Sequence, residues 1–95
     1  MDRITTTIER EWLADIVAGT QRTEYRQIKA YWRRRFGSVS LPFELRLING
    51  MQKHAPEVTV LVDRIRANTA HREYELHIGK VLQYSNWDRR RRAPM

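Results

Sequence analysis

Between Glu24 and Arg35 the chain interleaves cations with rings: Glu24, Tyr25, Arg26, Lys29, Tyr31, Trp32, Arg33, Arg34 and Arg35. Single-stranded nucleic acid calls for this combination, because cations neutralise phosphate while each ring offers a stacking face of roughly 1–3 kcal/mol per base. Arg22 and Arg46 extend the cationic set on either side. The same spacing also fits an amphipathic helix that buries Tyr31, Trp32 and Phe36 and leaves its arginines solvated. Periodicity does not separate a core stripe from a stacking platform. The arginines are free to meet phosphate in either arrangement.

Other chemistry is sparser. Glu24 is the candidate general base, with Tyr25, Lys29 or Lys53 as assisting groups. Glu44, Asp63, Glu73 and Glu75 also fall on predicted strands, where they read as solvated partners of neighbouring arginines. His54, His71 and His77 lack metal-ligand spacing and the chain has no cysteine, so no metal is expected. Neither a nucleophile elbow, nor a phosphate-binding glycine loop, nor a Ser/His/Asp set is visible, and no cofactor is implied.

The elements that position these residues must come from 95 residues, 41% of them hydrophobic, which is enough for one small core. Fifteen of the 18 basic residues are arginine, and the net charge is +7. Arginine's planar fork of donors fits phosphate, so nucleic acid is the leading partner class. Arg89 to Arg92 supply four of those charges, and residues 89–95 read as a flexible basic tail behind a domain of residues 1–88. The absence of cysteine suits a reducing compartment, and no apolar run is long enough for a bilayer or an export signal. A cytoplasmic location and no membrane association are therefore expected.

Along the chain, Ile4, Thr6 and Ile8 alternate as a half-buried strand does. Trp12, Leu13, Ile16 and Val17 form the apolar stripe of a short helix, and Gly19 stands where a left-handed cap belongs. Thr23 to Ile28 tolerates a strand, and Tyr31 to Phe36 reads as a second helix ended by Gly37. Phe43, Leu45 and Leu47 alternate next, and Asn49-Gly50 marks a turn. Val58 to Ile65 predicts a strand buried on both faces for part of its length. Tyr74, Leu76, Ile78, Leu82 and Tyr84 keep one parity, with Gly79 as a bulge. About five strands and two short helices make an α+β domain, whose sheet is expected to close into a small barrel so that no edge stays open.

Several runs resemble the ASCH-domain family, a branch of the PUA-like β-barrels. They are Ile8-Glu9-Arg10-Glu11-Trp12, Ile16-Val17-Ala18-Gly19, Thr23-Glu24-Tyr25-Arg26 and Ile28-Lys29-Ala30-Tyr31-Trp32. Pro42 to Arg46, Asn49-Gly50, Ala55-Pro56-Glu57 and Tyr74 to Leu82 look like the strands of small bacterial and phage members. The resemblance covers nearly all of residues 4–87, and the spacing from Trp12 through Gly19 to Glu24 and Arg26 is its most specific part. It implies a barrel with a cleft beside the first helix, RNA or a modified nucleoside as ligand, and Glu24 and Arg26 as a polar pair facing that cleft. Some members hydrolyse N-acetylated cytidine with a lysine and a threonine, and others cleave RNA. Here Gln21 replaces that lysine and Glu24 that threonine, which argues against the amidohydrolase activity. Ala30 stands where many relatives have proline.

The leading expectation is an RNA-binding module whose cleft takes a single-stranded or modified base, with Arg22, Arg26, Lys29 and Arg33 to Arg35 on the backbone. The alternatives are an enzyme on RNA or modified nucleosides, and a protein-interaction module.

Overall fold

The computed structural model describes residues 1–95. Five strands form one curled sheet: β1 (Arg3–Thr7), β2 (Thr23–Gln27), β3 (Phe43–Ile48), β4 (Glu57–Asn68) and β5 (Glu73–Ser85), in the spatial order β1-β3-β4-β5-β2. Pairing is antiparallel except between β1 and β3. Helices α1 (Arg10–Ala18) and α2 (Ala30–Gly37) follow β1 and β2. None of the helices is long and apolar enough to cross a membrane.

The expected α+β arrangement of five strands and two short helices is present, but the barrel is only half closed. β1 and β2 occupy opposite edges of the sheet and share no ladder. The chain crosses from one edge to the other through α1, leaving a seam between them. Curvature comes from the long β4–β5 pair, whose register slips three times, leaving Leu82, Gly79 and Asp63 without partners. Gly79 is the bulge that the sequence predicts. The slips also break the parity of β5: Leu76 and Ile78 are buried, whereas Leu82 and Tyr84, expected on the same face, point outward.

The core lies in the concavity of the sheet. Leu13, Ile16 and Val17 of α1 pack there with Ile4, Leu45, Leu47, Val58, Val60, Val62 and Leu76, each large aliphatic side chain contributing about 1.5–3 kcal/mol of burial. α1 ends at Gly19, whose φ of 83° is the left-handed geometry that a glycine cap provides. The N–H groups of Gly19 and Thr20 close the cap on the carbonyls of Ile16 and Asp15. α2 contributes an aromatic ladder. Trp32 stacks on Phe36 at 5.2 Å, and Phe36 meets Phe43 at 6.4 Å and Tyr74 at 5.1 Å.

Residues 89–95 depart from the flexible tail expected of them. Trp87–Asp88 (β6) pairs with Ala93–Pro94 (β7) as a small hairpin. Asp88 Oδ1 accepts the N–H groups of Arg90 and Arg91 at 3.0 and 3.1 Å. Trp87 is 3% exposed, within the core, and Arg92 reaches Asp15 of α1 at 2.7 Å. An anchoring indole and an aspartate-capped turn outweigh the low apolar content of the arginine run.

Candidate nucleobase pocket

The seam between β1 and β2 opens into a cavity of about 650 Å³, lined by Thr7, Ile8, Glu9, Trp12, Glu24, Tyr25, Arg26 and Glu73. Alternation along β2 sets its floor and rim: Glu24 and Arg26 turn inward, while Tyr25 turns out. Trp12 and Tyr25 are each 40% exposed. Their rings meet edge to face at 6.5 Å and 75°, giving the mouth two aromatic walls.

Glu24 is only 4% exposed. Its Oε1 accepts the Tyr25 N–H at 3.0 Å and its Oε2 the Arg26 Nη2 at 3.3 Å. Burial pushes the Glu24 carboxyl above the usual range, against the Arg26 charge and these two hydrogen bonds, which pull it down. Arg26 Nη2 also donates to the carbonyl of Thr7 at 2.8 Å, so one guanidinium clasps both margins of the seam. The guanidinium lies over the Trp32 ring, 5.3 Å from its centroid, and its Nε is buried without a hydrogen-bond partner.

Of the sequence-predicted residues, Glu24, Tyr25 and Arg26 share this pocket, and the others lie elsewhere. Trp32 is 7% exposed within the core, so it supports Arg26 from below and offers no face to a base. Tyr31 is exposed on α2, where Arg35 donates to its hydroxyl at 2.9 Å. Lys29, Arg33 and Arg34 are exposed around the same helix and do not line the seam cavity. Arg22 borders a small hollow with Lys80 and Ile78. Arg46 forms a two-bond pair with Glu57 at 2.7 and 2.9 Å on another face, and Lys53 lies on the exposed loop beside it.

Sequence reasoning missed Trp12, Glu9 and Glu73 as lining residues. Trp12 is assigned to the buried stripe by its spacing, yet it sits at the margin of that stripe, with Leu13, Ile16 and Val17 taking the centre. A large ring at the edge of an apolar stripe is the signal that could have found it.

Three carboxylates and one guanidinium give the pocket an acidic lining. Such a lining disfavours phosphate and suits a planar group that presents N–H donors, since Glu24 keeps free acceptor positions on both oxygens. No cluster of His, Asp and Glu is placed to hold a metal ion. No family model matches the chain, and no curated protein or solved structure matches it.

Proposed function

We propose that the chain is a nucleic-acid-binding module of PUA-like, ASCH-type architecture, which takes a single-stranded or modified base of RNA in the seam pocket. The observation that carries this reading is the union of a buried carboxylate and guanidinium with two exposed rings in one cavity of about 650 Å³, a volume within the ~300–1,000 Å³ of small-molecule sites. Trp12 and Tyr25 supply the stacking faces. Glu24 accepts from the base edge, as carboxylates do from exocyclic amines, and the acids around it direct phosphates outside the pocket. Titration of single nucleosides against the tryptophan fluorescence of the protein tests the reading. Saturable quenching that is weakened in Glu24→Gln, which keeps all three indoles, supports it, and no response to any common or modified nucleoside refutes it.

The raised affinity of Glu24 for its proton favours a second reading, an enzyme on RNA or modified nucleosides with Glu24 as general base. Tyr25 is the one assisting candidate that shares the pocket, because Lys29 and Lys53 do not line it. Turnover of labelled RNA or an acylated nucleoside that vanishes in Glu24→Gln would select this reading over simple binding.

A further inference from the structure

The convex face of the sheet carries a second cleft, of about 280 Å³, lined by Thr23, Arg64, Arg66, Glu75 and His77 with no apolar residue. Strand register brings these groups together. Thr23, His77 and Arg64 stand in one row across β2, β5 and β4, and Tyr25, Glu75 and Arg66 stand in the next. Thr23 and Tyr25 project to the same side of β2, so this cleft begins one row from the ring that borders the base pocket. Arg66 lies two strands from Tyr25, about 10 Å across the sheet.

Two features decide what the cleft can hold. Asp63 and Gly79 are the unpaired residues of adjacent bulges. A Cβ at Gly79 would fall 2.7 Å from Asp63 Oδ2, so the absent side chain makes the notch in which that carboxylate lies. From the notch, Asp63 Oδ1 holds His77 Nδ1 at 2.6 Å, which fixes the ring and leaves Nε2 as its free nitrogen. The second feature is the state of the arginines. The Arg64 guanidinium makes neither an ion pair nor a hydrogen bond, although, behind the His77 hydrogen bond, its charge helps hold the Asp63 carboxyl below the usual range. Arg66 is 3.8 Å from Glu75 with a side chain 76% exposed, and Glu75 is already engaged by Asn68 Nδ2 at 3.1 Å.

We infer that this cleft receives a phosphodiester group of the strand whose base enters the seam pocket, held by the guanidinium groups of Arg64 and Arg66 and the hydroxyl of Thr23. The inference rests on the nucleic-acid reading above and moves the backbone contact from α2 to the convex sheet face. The Arg64 guanidinium has no hydrogen bond to give up before it meets phosphate, and its fork matches two phosphate oxygens. Arg33 and Arg34 are as exposed, but they line no cleft with a second donor such as the Thr23 hydroxyl.

The test compares Arg64→Ala/Arg66→Ala with the charge-matched control Arg33→Ala/Arg34→Ala, using a single-stranded RNA of about ten nucleotides and a free nucleoside as probes. In the first variant the oligonucleotide should bind about tenfold or more weakly at low salt. The slope of log K against log salt should also flatten by about 0.7 for each phosphate that the variant no longer neutralises. The control should keep the wild-type slope, and both variants should bind the nucleoside as the wild type does. An equal loss in the two variants would overturn the inference, because it would mean long-range attraction without a defined phosphate site. Unchanged oligonucleotide binding in Arg64→Ala/Arg66→Ala, with nucleoside binding intact, would overturn it while leaving the pocket reading standing. A wild-type protein that binds the oligonucleotide but no nucleoside would instead remove the pocket reading.

Discussion

Replacing Arg26 by methionine isolates the electrostatics of the seam, because the thioether chain still packs on Trp32 while the charge and its hydrogen bonds disappear. Side chains of Arg26 and Glu24 are 18% and 6% exposed, so the pair is screened little by solvent. Breaking such a pair from one side costs about 3–5 kcal/mol, because the remaining charge stays buried. For a domain of this size, whose total stability is about 5–15 kcal/mol, that is a large share. At about 4–8 °C per kcal/mol, the lower figure corresponds to a fall in Tm of about 12–24 °C. Without Arg26, the folded-state pKa of Glu24 rises further above its unfolded value. Arg26→Met is therefore closest to wild-type stability below the ordinary carboxylate range, and it loses stability as pH rises through the raised value. Glu24→Gln/Arg26→Met should recover most of the loss at neutral pH, leaving about 1 kcal/mol for the missing bond to Thr7. Urea denaturation of the wild type, the two single variants and the double variant at pH 4 and pH 7 provides the measurement. A loss that is the same at both pH values, or a double variant no more stable than Arg26→Met, would refute the reasoning.

Four further outcomes are expected. Trp12→Ala and Tyr25→Ala should each weaken nucleoside binding by about tenfold, from stacking worth roughly 1–3 kcal/mol, while thermal denaturation stays near wild type because both rings are partly exposed. Trp87→Ala should destabilise the domain by about 3–5 kcal/mol in chemical denaturation, an effect that a disordered C-terminus would not produce. In the wild type, the raised Glu24 pKa makes stability decline as pH climbs past the usual glutamate range, and Glu24→Gln should flatten that part of the pH profile. Gly79→Ala should push the Asp63 carboxylate from its notch, and the His77 ring resonances in NMR should shift in the same direction as in Asp63→Asn.

Much of the scaffold was legible in local patterns, because local physics decides them. Strict alternation in Phe43, Leu45 and Leu47 needs only a sheet with one wet face, and the αL cap at Gly19 needs only the end of an apolar stripe. The inward turn of Glu24 and Arg26 follows from their spacing once β2 is placed. What stayed hidden depends on distant segments meeting. The seam exists because β1 and β2 lie at opposite edges, which no window of sequence records. Trp12 has core spacing but lies over the seam and becomes a pocket wall. Trp32 has the composition of a platform but fills the space beneath Arg26. Leu82 and Tyr84 keep the parity of Leu76, and the bulges between them reverse its meaning. The cleft on the convex face needs three strands in register, so its arginines read as isolated surface charges until the ladder is known.

The unclosed gap between the first and last strands of the sheet gives the molecule a built-in caliper. Its jaws belong to opposite ends of one continuous ladder and are bridged by Arg26, so a change in the bend of the long β4–β5 ribbon loads that clasp as it alters the aperture. A planar guest wedged there would resist that flexing and stiffen strands it never touches. Slower amide exchange far out on β4 and β5 would then be the mark of an occupied mouth.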